Sequence, residues 1–204
     1  MTRIKFCGMR READSIAANE LRPDYIGFVF AEKSRRAVTR ETAARLKARL
    51  RDDIRAVGVF TDAPPETVAC LLEEGVIDLA QLHGQEDAEY IARLREMTDK
   101  PVIQAFRIRN GEDVKRAERS SADYILLDAG AGDGKTFEWT LAKSAARPYF
   151  LAGGLTPENA AEAAERLRPF ALDVSSGIET DGWKDPEKMR AFMLAAGQAG
   201  RTEK

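Results

Sequence analysis

Cys7 ends the first strand-like run of the chain, RIKFCGM, and Gly8 follows it directly. A cysteine in this place is either a small buried side chain or a nucleophile or base at the mouth of a site. Asp128 ends another apolar run, DYILLD, where its carboxyl group could cap a helix, bind a metal ion or donate a proton. A thiol and a carboxyl group facing each other across one ligand could move protons between carbon and oxygen atoms. We therefore take Cys7 and Asp128 as the candidate catalytic pair.

Glycine-rich segments follow two apolar runs in the last third of the chain. LAGGL contains Gly153 and Gly154, and DVSSGIE contains Ser175, Ser176 and Gly177. Glycine lets the backbone approach an anion, and backbone N–H groups together with serine hydroxyls can bind a phosphate. Either segment alone would indicate only a tight turn. Two of them in adjacent units favour a phosphate site.

Further polar residues lie at or just beyond the ends of apolar runs, and we predict that they bind substrate: Arg36, Gln81, His83 and Asp173. For Arg36 the alternative is an ordinary solvated surface arginine. His83 is either a hydrogen-bonded structural histidine or a catalytic group, and the sequence leaves both open.

Residues 129–136, AGAGDGKT, are close to the P-loop pattern GxxxxGK[ST]. Ala129 replaces the first required glycine, and no P-loop NTPase layout surrounds the segment. We therefore predict no nucleotide-binding loop here.

Eight short apolar runs must position these residues, and amphipathic helical patterns alternate with them. Most are continuously apolar, as is typical of parallel strands covered on both faces. Eight strands with about eight helices, at about 25 residues for each unit, predict a single-domain (β/α)8 TIM barrel over residues 1–204. An open doubly wound sheet is the alternative, although it usually has fewer strands. The runs span residues 3–7, 24–30, 54–60, 78–83, 101–106, 123–128, 148–153 and 171–175.

Composition excludes several classes of function. Lys and Arg total 32 against 34 Asp and Glu, which gives no electrostatic reason to expect nucleic acid or an anionic membrane as a partner. No apolar run reaches transmembrane length and the N-terminus has no apolar signal region, so we expect a cytoplasmic protein. Two cysteines without a CxxC pair and a single histidine argue against a disulfide framework or a metal site.

An ordered set of segments resembles the phosphoribosylanthranilate isomerase family, barrel enzymes of tryptophan biosynthesis. The set covers nearly the whole chain: KFCGMR, GFVFAEKSRR, VGVF, QLHG, LLDA, GDGKTFEW, LAGGL and DVSSGIE. The resemblance implies an Amadori rearrangement of N-(5-phosphoribosyl)anthranilate to 1-(2-carboxyphenylamino)-1-deoxyribulose 5-phosphate, without cofactor or metal ion. We expect a small phosphorylated substrate as the partner, and a monomer rather than a dimer.

The resemblance also implies roles for individual residues. Cys7 aligns with the family's general base, Asp128 with its general acid, and Arg36 with the arginine that holds the anthranilate carboxylate. The two glycine-containing loops align with the phosphate clamp. A cysteine base must be a thiolate, so we predict a lowered pKa for Cys7 and a raised pKa for Asp128. Gly8 is predicted to leave room for the substrate.

Two segments depart from the family pattern. The sixth loop reads AGDG before FEW, with Ala131, Asp133 and Glu138, where the family has GGTG or GGSG before FDW. Asp181-Gly182 stands where the family often has Pro-Gly. The alternatives to this reaction are an isomerase or lyase of another phosphorylated sugar, and a non-catalytic phosphate sensor with Cys7 as a redox switch.

Overall fold

A computed structural model describes residues 2–129 and 141–198, and in this part of the chain eight parallel strands form a closed barrel. Each strand pairs with its neighbours in chain order, and the last pairs with the first in the register Lys5–Asp173. The predicted (β/α)8 barrel is confirmed, and each predicted run agrees with a strand to within one residue at each end. The strands are β1 (Arg3–Cys7), β2 (Tyr25–Val29), β3 (Arg55–Phe60), β4 (Leu79–Leu82), β5 (Val102–Arg107), β6 (Tyr124–Asp128), β7 (Tyr149–Ala152) and β8 (Ala171–Val174).

Seven α-helices surround the barrel within the described residues, where about eight were expected. The described part of the connection from β6 to β7 holds a single 3₁₀ turn, Ala142–Ser144. No helix in the described ranges is long and apolar enough to cross a membrane. The helices are α1 (Glu12–Leu21), α2 (Arg40–Lys47), α3 (Pro65–Glu73), α4 (Ala88–Arg95), α5 (Gly111–Glu118), α6 (Ala160–Leu167) and α7 (Pro186–Gln198).

Two apolar clusters form the core, because successive strand residues point alternately to the helices and into the barrel. The larger cluster lies between strands and helices and contains Phe6, Phe28 and Phe60. The smaller cluster fills the barrel interior, where the Phe150 ring lies 5.5 Å from that of Tyr25. This aromatic packing closes one end of the barrel and leaves the carboxyl ends of the strands for polar side chains.

A short hairpin follows β8 and lies at the barrel mouth. Its strands are β9 (Glu179–Thr180) and β10 (Trp183–Lys184). Asp181 and Gly182 connect them with φ of 52° and 79°. Positive φ at both central residues is the requirement of the tight hairpin turn that Asp-Gly favours. The departure from the family pattern at this point is therefore a well-formed turn.

Candidate active site

The carboxyl ends of the strands bring most of the predicted residues to one end of the barrel. Cys7 is the last residue of β1 and Asp128 the last residue of β6, with β7 and β8 between these strands. Both side chains belong to the alternate positions that face the interior. The thiol and the carboxyl group therefore approach one mouth from different sides.

A buried ion pair lies next to the Cys7 thiol. Lys5, two residues earlier on β1, is completely buried, and its Nζ donates to Oδ2 of Asp173 on β8 at 2.8 Å. The Cys7 side chain lies on the same face of β1 as Lys5. A Cβ at Gly27 of β2 would lie 2.9 Å from the Cys7 Sγ and 3.3 Å from the Lys5 Nζ. Glycine at that position therefore makes room for the lysine and the thiol.

The acidity of Cys7 differs from the prediction. Burial raises the pKa of the Cys7 thiol above its ordinary value, and the Asp173 carboxylate raises it further. The ammonium groups of Lys5 and Lys184 lower it, but they do not overcome burial. The predicted lowering is wrong for the chain without a ligand, because the sequence showed neither the burial of the sulfur nor the nearby carboxylate.

Gln81, His83 and Asp128 form a chain of hydrogen bonds across the ends of β4 and β6. The amide nitrogen of Gln81 lies 3.0 Å from Nδ1 of His83, and Nε2 of His83 lies 3.2 Å from Oδ2 of Asp128. With the amide in this orientation, Nδ1 accepts a hydrogen bond, so Nε2 carries the proton and donates to Asp128. His83 therefore contacts the candidate acid directly and fixes its orientation.

Arg36 is held by a carboxylate that sequence reasoning missed. Its Nε and Nη2 donate to Oε1 and Oε2 of Glu179 at 2.7 and 2.8 Å. Arg35 and Lys184 also donate to Glu179, at 3.1 and 2.8 Å. Burial works against the charged form of Glu179, but hydrogen bonds from Arg36 and Lys184 lower its pKa to about 2. Glu179 is therefore ionised at neutral pH, and its carboxylate fixes the position of the Arg36 guanidinium.

The two adjacent arginines have different surroundings. The Arg36 side chain is 19% exposed, whereas that of Arg35 is 64% exposed. Two N–H groups of Arg36 are donated to Glu179, and the guanidinium retains further donors for a ligand. Of the two, Arg36 is the one positioned to contact a bound molecule.

Gly8 leaves room for a neighbouring side chain. Its φ is 87°, a conformation that residues with a side chain rarely adopt. A Cβ at this position would lie 2.5 Å from Cδ of Arg36. Gly8 therefore leaves room for the arginine, and the room it leaves for substrate stays a prediction.

The glycine-containing loops after β7 and β8 contact each other. Gly153 and Gly154 have φ of 94° and 65°, which requires glycine or strained backbone. A Cβ at Gly177 would lie 1.9 Å from the carbonyl oxygen of Leu155, so the second loop needs glycine where it crosses the first. Asn159 supports the first loop, since its Nδ2 donates to the Gly154 carbonyl at 2.9 Å.

The two serines of the loop after β8 have different surroundings. The Ser175 hydroxyl donates to the carbonyl oxygen of Cys7 at 3.0 Å, which ties the loop to β1. Ser176 begins a 3₁₀ turn that continues through Gly177. The hydroxyl of Ser175 is thus already engaged, while the turn brings Ser176 and Gly177 beside the loop after β7.

Sequence reasoning missed Lys5, Glu179, Lys184 and Asn159. A signal existed for Lys5, because it is two residues before Cys7 and therefore on the same face of β1. Glu179 and Lys184 had no such signal, since their contact with Arg36 depends on the hairpin. The sixth-loop residues Ala131, Asp133 and Glu138, and the P-loop-like segment beyond Ala129, lie outside the described residues.

Comparison with known proteins gives consistent matches. A family model described as N-(5'phosphoribosyl)anthranilate (PRA) isomerase matches residues 4–195. The N-(5'-phosphoribosyl)anthranilate isomerase of Endomicrobium trichonymphae is 43% identical over 194 residues, covering 93% of this chain and 95% of the relative.

Two solved structures of phosphoribosylanthranilate isomerases extend the similarity to the fold. One contains reduced 1-(o-carboxyphenylamino)-1-deoxyribulose 5-phosphate, with a TM-score of 0.87, 35% identity and coverage of 97% and 100% of the two chains. The other describes monomers made from the dimeric enzyme of Thermotoga maritima, with a TM-score of 0.86, 36% identity and the same coverage.

Proposed function

The chain belongs to the N-(5'-phosphoribosyl)anthranilate isomerase family, enzymes of tryptophan biosynthesis, and we propose that Cys7 is its general base and Asp128 its general acid. The reaction converts N-(5'-phosphoribosyl)anthranilate into 1-(2-carboxyphenylamino)-1-deoxyribulose 5-phosphate. The proposed roles rest on one observation: β1 and β6 bring a thiol and a carboxyl group to the same mouth of the barrel. An aldose–ketose rearrangement needs one group of each kind.

The reaction begins at the ring oxygen of the ribose. Asp128 donates a proton to that oxygen as the bond between C1 and the ring oxygen breaks, and the nitrogen lone pair forms a Schiff base. Cys7 as a thiolate then removes the proton from C2, giving an enolamine that tautomerises to the ketone. Asp128 must be protonated when substrate binds, so the predicted raised pKa of this carboxyl group stays a requirement of the mechanism.

We assign the phosphate to the loops after β7 and β8. Gly153, Gly154, Ser176 and Gly177 supply backbone N–H groups, and the positive φ of Gly153 and Gly154 gives the first loop a course that other residues rarely adopt. Ser175 contributes its backbone, because its hydroxyl is donated to Cys7. Barrels often bind phosphate with the loops after the last two strands, which supports this assignment.

Substrate hydroxyl groups have two acceptors inside the barrel. Oδ1 of Asp173 and Oε1 of Gln81 are buried and accept no hydrogen bond from any described residue. A buried polar atom without a partner costs free energy unless a ligand satisfies it. We therefore assign Asp173 and Gln81 to the ribose hydroxyls, with His83 placed between Gln81 and the general acid.

The direct test of the function uses the fluorescence of freshly prepared N-(5'-phosphoribosyl)anthranilate. Adding the protein is expected to remove this fluorescence at a rate proportional to enzyme concentration. Other phosphorylated aminosugars that lack the anthranilate carboxylate should turn over much more slowly. Equal turnover of those sugars would contradict the assigned substrate.

Arg36→Met is expected to weaken binding of the anthranilate end by about 1.5–3 kcal/mol, the range for a hydrogen bond to a charged group. The planar guanidinium can hold a carboxylate with two parallel hydrogen bonds, and methionine keeps the length of the side chain without the donors. The loss should appear mainly in KM, and inhibition by inorganic phosphate should stay unchanged because the phosphate loops are separate. Steady-state kinetics with phosphate as competitor measure both quantities.

Arg35→Met is the matched control, since Arg35 contacts the same Glu179 from a largely exposed position. It should leave KM near that of the unmodified enzyme. If Arg35→Met loses activity while Arg36→Met stays active, the anthranilate carboxylate binds Arg35 and not Arg36. If neither change matters, Arg36 does not bind the anthranilate end.

The setting of the enzyme is also a proposal. Both cysteines are free, and a thiol that acts as a base must stay reduced, which favours the cytoplasm. Among the described residues the large exposed apolar side chains are Ile16, Trp183 and Leu194, and Trp183 is covered by Arg10. So small a number of large exposed apolar side chains supports a monomer.

A further inference from the structure

Lys5 is a charged group where the fold does not need one. Its side chain is completely buried inside the barrel, beside the apolar cluster around Phe150. Burying an ammonium group costs free energy, and an apolar side chain of similar volume usually packs there at least as well. The ion pair with Asp173 is not needed to align the strands, because backbone pairing already sets the register Lys5–Asp173. The charge therefore calls for a reason beyond folding.

We propose that Lys5 is a positioning residue that stabilises the Cys7 thiolate, and that Asp173 holds the Lys5 ammonium within reach of the sulfur. This inference rests on the proposed role of Cys7 as general base. Lys5 does not touch substrate and acts only through the side chain of Cys7.

The geometry places the Lys5 ammonium near the Cys7 sulfur. Lys5 and Cys7 project from the same face of β1, and Gly27 on the neighbouring strand leaves space in which their polar atoms meet. The Lys5 ammonium is a positive charge beside the thiol, and its proximity lowers the pKa of Cys7. A nearby positive charge favours the thiolate over the thiol. Asp173 accepts from the Nζ at 2.8 Å and fixes its position.

The other charged groups near Cys7 are arranged differently. Lys184 on β10 and Arg36 after β2 face the thiol, but both donate to Glu179. The Asp173 carboxylate on β8 also lies near Cys7, and its negative charge raises the pKa of the thiol. Of these three cations, Lys5 is therefore the one whose charge is not shared with Glu179.

Lys5 stays charged through the reaction. Burial works against its charged form, but the Asp173 carboxylate and Cys7 raise its pKa above the ordinary value. The thiolate becomes a thiol when it takes the C2 proton and becomes a thiolate again when that proton leaves. Lys5 stabilises the anionic state at both ends of this cycle without exchanging a proton.

The test measures the titration of Cys7 in the folded enzyme without substrate. Iodoacetamide reacts with the thiolate, so its rate against pH gives the midpoint, and mass spectrometry of peptides separates Cys7 from Cys70. Lys5→Met removes the cation and Asp173→Asn removes the opposing anion. Lys47→Met is the matched control, because Lys47 forms a Lys–Asp pair with Asp78 at 2.5 Å in the helical layer.

Lys5→Met is expected to raise the Cys7 midpoint by about one to three pH units, the usual effect of a close opposite charge. The acid limb of kcat/KM should move upward with it, because activity needs the thiolate. Asp173→Asn should lower the midpoint, since the amide oxygen still accepts from Lys5 while the carboxylate that raises the pKa of Cys7 is gone. Lys47→Met should leave it in place, and the exposed Cys70 should titrate identically in all variants.

A folded Lys5→Met variant whose Cys7 titrates at the original midpoint would overturn the proposal. If that variant does not fold, Lys5→Gln decides, because its amide removes the charge and keeps a polar partner for Asp173. A midpoint that fails to rise in that variant overturns the proposal equally. The general-base assignment has a separate test. If a Cys7→Ser enzyme retains turnover, Cys7 is not the general base, but the effect of Lys5 on the titration of Cys7 still stands.

Discussion

Cys7→Ser is expected to lower turnover about a hundredfold or more, the scale on which positioned acids and bases contribute. The serine hydroxyl keeps the approximate shape of the side chain. It is a far weaker acid than a thiol, so it does not form the anion that removes the C2 proton. The melting temperature should change little, since the half-buried Cys7 fills no large part of the core. The measurements are kcat on freshly prepared substrate and thermal unfolding.

Cys70→Ser is the control for the same chemical change. Cys70 lies exposed on α3, where its thiol is 3.3 Å from Oε1 of Glu74. This variant should keep both turnover and melting temperature. Near-normal turnover of Cys7→Ser would mean that another group removes the proton. A large loss in both variants would indicate a general effect on the protein rather than loss of a base.

The barrel could be predicted because parallel strands covered on both faces appear in the sequence as continuous apolar runs. The run at 24–30 contains β2 at Tyr25–Val29, and the other seven agree equally well. The connection between β6 and β7 shows where this reasoning stops. Its described part is the 3₁₀ turn Ala142–Ser144, and nothing in the apolar pattern distinguished that turn from a helix.

The site could be predicted as far as strand ends determine it. Cys7, Asp128 and His83 reach the mouth because the barrel brings the ends of all strands together. Their partners could not be predicted, because Asp173 meets Lys5 across the closure of the barrel and Glu179 meets Arg36 through a hairpin. Contacts between residues so far apart in the chain depend on register and packing, which spacing does not show.

Asp128→Asn is expected to lower turnover about a hundredfold or more, because an amide has no proton to give to the ring oxygen. Its oxygen can still accept from Nε2 of His83, 3.2 Å from the present carboxylate oxygen, so the arrangement at the end of β6 should persist. The phosphate loops and Arg36 remain in place, and KM should therefore change much less than kcat. Steady-state kinetics with the labile substrate, with thermal unfolding as a check on the fold, give both quantities.

Asp123→Asn makes the same substitution at the opposite end of the same strand segment. Asp123 accepts from the backbone N–H of Val102 at 2.7 Å and pairs with Arg95, so this change should cost stability. It should leave kcat unchanged, because Asp123 lies at the closed end of the barrel. Comparison of the two variants separates chemistry from folding, since only the one at the mouth can interrupt proton delivery. Full turnover in Asp128→Asn would show that the ring oxygen receives its proton from another donor. His83, which contacts Asp128, would then be the next residue to substitute.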